Sequence, residues 1–585
     1  MACLETELGY TGGKPQIVLC HIYNSVDRCR CYRGKSSRML KSITLKFTEC
    51  EHLTIPTDGV TVFVGPNNSG KSLILREIER EINSPTPLTG NTILHDFEPE
   101  RLSPQALDEE IERLIAKTPG GYSVNYVRLT RFETNGEFVH GNVDIESLKS
   151  EMASERKHWV TSQFLRFGYL KLDGRTRFAL TDNRQMGDLT QEAPNWLTKL
   201  FKDDVARAEL RRIVYDAIGL YLVIDPTMGG LLRIRLSATA PTQDEQSLGQ
   251  ASRDFHSRAT LIKDASDGIQ AFVGILIAAR SSDFKSISID EPEAFLHPPL
   301  ARRVGYELAR QVTRRNGSLM AGTHSADFLM GCLQGSQKVR VVRLEYSNGK
   351  SKGRVVDSQA LSDFFRKPLV RSTNVMSALF HDGVVVAESD NDRAFYSEIY
   401  HRITEHEPQL PSLLFVNAQN KQTMRDIVQP LRAFGAPAAA ISDIDILKDG
   451  GQTWTGWLKA AGIPSSAHGG LGVTRGDLLR LYSTSGIDMK KDGVEGLPVA
   501  DQATANALFD TLADYGIFVT RKGELEHWLQ SLEVPGKKTD WAIGMLTRLG
   551  VDPSSSSYLH PQTDDVWQFL RSIAGWVKNP ARKGT

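Results

Sequence analysis

The sequence predicts an α/β protein made of two consecutive parallel-sheet units, with an insertion in the first and a helical tail after the second. Three observations carry that expectation. An apolar, β-branched run at residues 60–64 feeds Gly65-Pro66-Asn67-Asn68-Ser69-Gly70-Lys71-Ser72, an uninterrupted G-x-x-x-x-G-K-S loop, and a helical apolar spacing follows. A second apolar strand ends in acids at Ile287-Ser288-Ile289-Asp290-Glu291-Pro292. The pattern then restarts after about residue 380 with Val384-Val385-Val386-Ala387-Glu388, and a later strand ends in Asp443-Ile444-Asp445.

The first unit opens with alternating residues 40–47, then the loop strand and its helix, in which Leu73, Leu75, Ile78 and Ile82 mark a half-buried face. Ser84-Pro85-Thr86-Pro87 ends that helix, because proline cannot continue it. The glycines let backbone N–H groups of Asn67, Asn68, Ser69 and Gly70 turn toward phosphates at a helix N-terminus. Lys71 reaches the β- and γ-phosphates, and the Ser72 hydroxyl can ligate Mg²⁺. Asp290 ends a buried strand, where a carboxylate can hold the water shell of that Mg²⁺, and Glu291 is set to polarise an attacking water. ATP with Mg²⁺ is therefore the expected cofactor.

Length and charge bound the rest. At 585 residues the chain has room for roughly two to four domains. Its 70 basic and 70 acidic side chains cancel, so any nucleic-acid contact must come from local patches. No apolar run approaches the ~20 residues that span a bilayer, and the N-terminus has no apolar signal core, so a soluble, cytoplasmic protein without a membrane partner is expected. Six cysteines argue against a disulfide framework. Cys3, Cys20, Cys29 and Cys31 sit beside His21 but lack paired C-x-x-C spacing, so residues 1–38 read either as a zinc cluster or, more blandly, as a poorly ordered basic extension.

Within the first unit, Ala265-Ser266-Asp267-Gly268-Ile269-Gln270 starts a helix before the acidic strand, and Ala321-Gly322-Thr323-His324-Ser325 follows the next strand. In this order the chain resembles the ATP-binding-cassette (ABC) ATPases of DNA repair and chromosome maintenance. The resemblance implies that Ser266 and Gly268 belong to a signature helix contacting the γ-phosphate on a partner subunit, although Asp267 replaces a common glycine. It also implies that His324 is the switch histidine. Gln163 lies in the region of a glutamine loop. About 220 residues separate Lys71 from Asp290, so an inserted helical or dimerisation element is expected within about 100–260.

The second unit carries a different constellation. Glu388 follows one strand, Ser389-Asp390-Asn391-Asp392 leads into a helix, and Asp443 and Asp445 end another strand, where residues two apart share a face. Parallel strands place such ends side by side. Clustered carboxylates repel unless a cation neutralises them, and an all-oxygen set favours Mg²⁺ or Mn²⁺. A further strand at residues 517–519 leads to Gly523-Glu524-Leu525-Glu526 and an expected helix.

This order, E…D-x-D…G-x-L-E, resembles the TOPRIM fold of topoisomerases, primases and certain nucleases. Joined to a cassette ATPase it resembles the overcoming-lysogenization-defect (OLD) family, which includes the Gabija and retron-associated antiphage nucleases. The resemblance covers roughly residues 39–540. It implies divalent-metal-dependent DNA cleavage under the control of a dimerising ATPase in antiviral defence. It assigns metal ligation to Glu388, Asp392, Asp443 and Asp445, with Glu524 and Glu526 as late ligands, and a catalytic lysine at Lys537 or Lys538. Homodimers or higher oligomers, DNA, and a helicase or reverse-transcriptase–DNA complex are the implied partners. Two departures stand out: the first acidic motif reads E-S-D-N-D instead of E-G-x-x-D, and Asn417-Ala418-Gln419-Asn420-Lys421 stands where the family has a glycine-rich turn. Neither removes a carboxylate. The expected domains are an extension (1–38), a cassette ATPase (39–370), a TOPRIM unit (380–540) and a helical tail (541–585). Two rival functions fit the same residues, a non-catalytic DNA-binding clamp and a topoisomerase-like strand-passage enzyme.

Overall fold

The computed structural model describes residues 39–584, apart from 115–125, 133–137, 155, 192, 243–244, 282–283, 348, 369 and 371–374. The cysteine cluster of residues 1–38 lies outside the described residues.

Strand Gly59–Val64 is buried at every position, as expected of a central strand covered on both faces. Val60, Val62 and Val64 face one core, while Phe63 faces another with Ile74, Leu75, Ile78 and Ile82 of helix Lys71–Asn83. This strand sits inside a six-stranded sheet. Its parallel neighbours are Ser318–Gly322 and Val339–Ser347. Beyond Ser318–Gly322 come Ser286–Asp290 and then Tyr169–Leu172, both parallel. Val339–Ser347 turns back as an antiparallel hairpin with Lys350–Val356, across the Gly/Ser/Lys-rich residues 347–353. The loop, the acids and His324 therefore leave the sheet from the same C-terminal edge.

The span from 100 to 260 mixes helices and strands. It supplies the edge strand Tyr169–Leu172 of the sheet itself. It also holds a hairpin, Tyr126–Phe132 with Phe138–Asp144, and an antiparallel sheet built on Tyr221–Met228 and Leu231–Ser237. Helices Trp196–Lys202 and Asp204–Ile218 pack against the latter sheet in the main core.

The second sheet is four-stranded and parallel, ordered Leu413–Asn417, Gly383–Ala387, Ala438–Asp443, Ile517–Thr520. Val384 and Val386 join the core of the first unit, and Val385 points to the opposite face, against Phe395, Trp541 and Trp567. Helices Lys538–Leu549 and Asp565–Lys578 thus bury their tryptophans against this second sheet. The tail is part of that core, since burying a large aromatic stabilises by about 2–3 kcal/mol. Between strands Ala438–Asp443 and Ile517–Thr520 lies a helical excursion that includes Ser465–Ser485, Met489–Asp492 and Val499–Asp514. No described helix is long and apolar enough to cross a membrane.

Candidate functional site

The first site assembles on the loop. Gly65 (φ 143°) and Gly70 (φ 102°) adopt backbone conformations that exclude a Cβ, and one on Gly65 would lie 2.2 Å from the Leu344 carbonyl. The backbone can therefore close around a phosphate chain. Lys71 Nζ donates to the Gly65 and Pro66 carbonyls at 2.9 and 2.7 Å. Burial pulls its pKa down to about 8, against the opposing pull of Asp290. The Ser72 hydroxyl donates to Asp290 Oδ1 at 3.0 Å, so the two Mg²⁺-ligating candidates share one spot across 218 residues of sequence. Burial raises the pKa of Asp290, a carboxylate that a cation would relieve. Burial, and after it the Lys71 charge, lowers the pKa of His324. Glu291 is exposed at the strand end, with φ 47°, and can reach an attacking water. The residues present fit a Mg²⁺–nucleoside triphosphate.

Two residues that organise this site carry no motif. Arg177 is completely buried and donates to the carbonyls of Asp290 (2.9 Å) and Glu291 (3.0 Å), which fixes the chain as it leaves the acidic strand. Glu293 accepts from Thr323 Oγ1 at 2.7 Å and from the His324 N–H at 2.6 Å, and so joins the acidic loop to the switch loop. Gln163, in contrast, ends helix Lys157–Gln163, which leads into Tyr169–Leu172. That strand runs parallel to Ser286–Asp290, so Gln163 belongs to the end of the sheet opposite Asp290. Ser266 and Gly268 stand at the N-terminus of helix Asp267–Ser281, where Gly268 packs on the Phe295 carbonyl.

The second site lies at the C-terminal ends of the strands of the second sheet. Ala387 pairs with Asn417, and Asp443 with Thr520, so Glu388, Asp443 and the Gly523–Glu526 turn leave one edge together. Both departures from the family pattern have local explanations. Ser389 caps helix Asp390–His406: it accepts from the Asp392 N–H while Asp392 accepts from the Ser389 N–H, a capping box that needs no glycine. Gln419 takes the left-handed conformation (φ 66°) that a glycine would supply, and Asn420 caps the following helix.

The carboxylates converge and press on one another. Asp443 is pushed up to about 8 by burial, then by Asp392, Glu388, Asp445 and Glu524. Burial also raises Glu388 and Asp392. Glu388 Oε2 and Asn417 Oδ1 are buried and have no hydrogen-bond partner among the described residues. An oxygen-only crevice with surplus negative charge fits Mg²⁺ or Mn²⁺. Among the described residues no three acidic, imidazole or thiol groups close around one point, so the crevice is an open set of carboxylates.

Several site expectations change here. Strand Ala438–Asp443 stops at Asp443, and Asp445 falls in the 3₁₀ turn Ile444–Lys448. The two aspartates therefore do not share a strand face; Ile444, between them, is buried at the start of the turn. Burial would raise Asp445, but Lys421 and Lys490 outweigh it and hold its pKa down. Lys421 bonds Asp445 directly, and Lys490 Nζ lies 3.4 Å from Asp445 Oδ2 and 2.6 Å from Glu524 Oε1. Glu526 accepts from the Lys538 N–H at 2.7 Å. The segment after Gly523 forms only the short turn Leu525–His527, and the helix begins at Lys538. Lys537 and Lys538 are exposed at that helix start, and Asn391 Nδ2 donates to Thr539 beside them, which brings both to the rim. Lys421 and Lys490 escape sequence reading because a lone lysine carries no pattern.

The strand order and the loop-plus-acid edge define an ABC-type ATPase unit, and the second sheet with its acidic edge defines a TOPRIM unit. Residues 379–445 match the family model "Overcoming lysogenization defect protein-like, TOPRIM domain". The chain is 24% identical over 448 residues to a protein named OLD nuclease from Thermus scotoductus, covering 70% of this chain and 82% of that one. Residues 379–445 thus match an OLD-like TOPRIM domain, and most of the chain is similar to an OLD nuclease. Among solved structures it is similar to an SMC head bound to the C-winged helix domain of ScpA (15% identity, TM-score 0.33, 56% of this chain and 99% of that one). It is also similar to the SMC head domain from Thermotoga maritima (15%, TM-score 0.27, 55% and 99%). The fold class follows from the strand order, not from these loose superpositions.

Proposed function

We propose that the chain is an ATP-regulated, divalent-metal-dependent DNA endonuclease or nickase that serves antiphage defence. The observation that carries the reading is the convergence of Glu388, Asp392, Asp443, Asp445 and Glu524 on one TOPRIM edge, joined to an ATPase unit. The relative named OLD nuclease supports the same reaction class.

Glu388, Asp392 and Asp443 would hold the cation, with Asp445 and Glu524 beside them. A bound Mg²⁺ or Mn²⁺ supplies Lewis-acid polarisation of a phosphodiester and a hydroxide nucleophile at neutral pH. The chain's own part is to orient the backbone phosphate over these strand ends and to neutralise charge with lysine, from Lys490 and Lys421 inside the crevice or Lys537 and Lys538 at its rim. In the ATPase unit, Lys71 and the N–H groups of Asn67 to Ser72 bind the phosphates, Glu291 takes the proton of the attacking water, and His324 contacts the γ-phosphate. Ser266 and Gly268 act on a second copy's ATP, so nucleotide occupancy shifts the equilibrium between separate and paired chains. DNA is the substrate, and a helicase or a reverse-transcriptase–DNA complex is a proposed partner.

The test is supercoiled plasmid incubated with Mn²⁺ or Mg²⁺, with and without ATP. Nicked or linear products that vanish in Asp443→Ala support the reading. Relaxed covalent circles would favour strand passage, and an unchanged plasmid the clamp.

A further inference from the structure

The acidic strand of the ATPase unit leaves its sheet through a strained residue. Glu291 has φ 47°, in the left-handed region that a side chain other than glycine rarely enters. Such a conformation persists only where the surroundings over-determine it. Arg177, completely buried in the short helix Thr176–Ala179, supplies those surroundings. Its Nε donates to the Asp173 carbonyl at 2.9 Å, Nη1 to those of Glu291 (3.0 Å) and Ala294 (3.4 Å), and Nη2 to those of Asp290 (2.9 Å) and Glu291 (3.0 Å). The five donors of a guanidinium are thus all engaged. Two of the carbonyls flank the Glu291 α-carbon, so the fork sets the direction in which that side chain leaves the backbone.

The same short helix is wedged against helix Asp267–Ser281. A Cβ on Gly274 would lie 2.0 Å from the Arg177 carbonyl, so the two backbones touch. Phe178 meets Phe295 edge to face at 5.3 Å, and a Cβ on Gly268 would lie 2.6 Å from the Phe295 carbonyl. Helix Asp267–Ser281 therefore bears on the acidic loop at two points, and Arg177 stands between one of them and Glu291.

We propose that Arg177 is a positioning residue that ties the aim of the Glu291 carboxylate to the placement of helix Asp267–Ser281. An apolar side chain would fill the buried position without desolvating a charge, but only a planar fork of donors holds several carbonyls at once. When Ser266 and Gly268 engage a second copy's triphosphate, the helix bears on Arg177 through Gly274, and Glu291 is brought to the attacking water. Hydrolysis of a chain's own nucleotide is thereby tied to its grip on the partner copy's. The inference rests on the ATPase reading above and adds the element through which pairing reaches the base.

The experiment compares the full-length native protein, Arg177→Ala and Gly274→Ala in steady-state ATP hydrolysis, with binding of a fluorescent ATP analogue measured on each. Arg177→Ala is expected to bind the analogue as the native protein does and to turn over about 10²-fold more slowly. Added guanidinium ion, at a concentration that leaves the native rate unchanged, should restore part of that loss. Gly274→Ala, whose methyl group displaces the Arg177 carbonyl, should lose about 10-fold in kcat at unchanged affinity. Native turnover in Arg177→Ala, a loss that guanidinium does not restore, or an equal loss of analogue binding would overturn the positioning role. Native turnover in Gly274→Ala would overturn the link to the helix. Should either variant not fold, Arg177→Lys, which keeps the charge without the fork, and Phe178→Leu, which removes the ring contact with Phe295, decide in their place by the same split between kcat and affinity. A native protein that binds the analogue and never hydrolyses ATP would remove the ATPase reading itself.

Discussion

Arg343 donates to the Gly435 carbonyl of the TOPRIM unit at 2.9 Å and to the His381 carbonyl at 3.0 Å. It stands in strand Val339–Ser347, beside the phosphate-loop strand, and its neighbour Leu344 offers the carbonyl against which Gly65 packs. Arg343 is almost wholly buried and also contacts Glu345. One strand therefore touches the phosphate loop and the TOPRIM unit at consecutive residues.

Replacing this guanidinium leaves two inter-unit carbonyls and an acid without their donor. Arg343→Met is expected to cost about 3 kcal/mol, read as a lower urea midpoint at unchanged slope. A loss below about 1 kcal/mol would mean that the contact does not hold the units together.

At the nucleotide loop the two roles separate. Lys71→Ala is expected to abolish binding of a fluorescent ATP analogue. Glu291→Gln should bind it normally and hydrolyse ATP at least about 10²-fold more slowly, the usual contribution of a general base. Native turnover in Glu291→Gln would send the search for the base elsewhere.

Gly523 bears directly on Lys490. Gly523→Ala meets both a left-handed backbone and the Lys490 carbonyl, so the Lys490–Glu524 pair should separate. DNA cleavage is expected to fall by about 10-fold or more while ATP hydrolysis keeps its rate, since a misplacement near 1 Å is enough. Equal losses of both activities would indicate general unfolding instead.

Asp225 sets an acid limit. Burial raises its pKa, but bonds from Thr227 and the Arg235 guanidinium outweigh that and hold it at about 2. A depressed carboxylate stabilises the fold above its unfolded pKa, and this stability is lost as pH falls from about 4 through about 2. The stability at stake is about 2 kcal/mol. Asp225→Asn should therefore flatten the acid limb of a stability–pH curve measured by denaturant unfolding. A limb of unchanged steepness would show that other groups set it.

The readable parts of this chain are those whose chemistry is contiguous. The G-x-x-x-x-G-K-S loop, the strand ending in Asp290, and the strands before Glu388 and Asp443 declare themselves because a turn, an apolar run and a charge lie within about ten residues of one another. The helix stop at Ser84-Pro85 and the hairpin after Ser347 follow from local torsional limits in the same way. Asp445 misled for a related reason: period-2 logic holds only while the strand continues, and the strand ends at Asp443, two residues before Asp445.

By itself, then, the sequence determined two parallel-sheet units, a phosphate-cradling loop and the identity of the acids at the strand ends, since backbone propensity and side-chain alternation act over short stretches. Only the tertiary structure decided which cations face those acids. Lys421, Lys490, Arg177 and Arg343 each find their partners through chain crossings, and no local pattern distinguishes a lysine that will meet two carboxylates from one that will meet water. The same holds for the tail, whose Trp541 and Trp567 become core because the sheet at Val385 lies open to receive them.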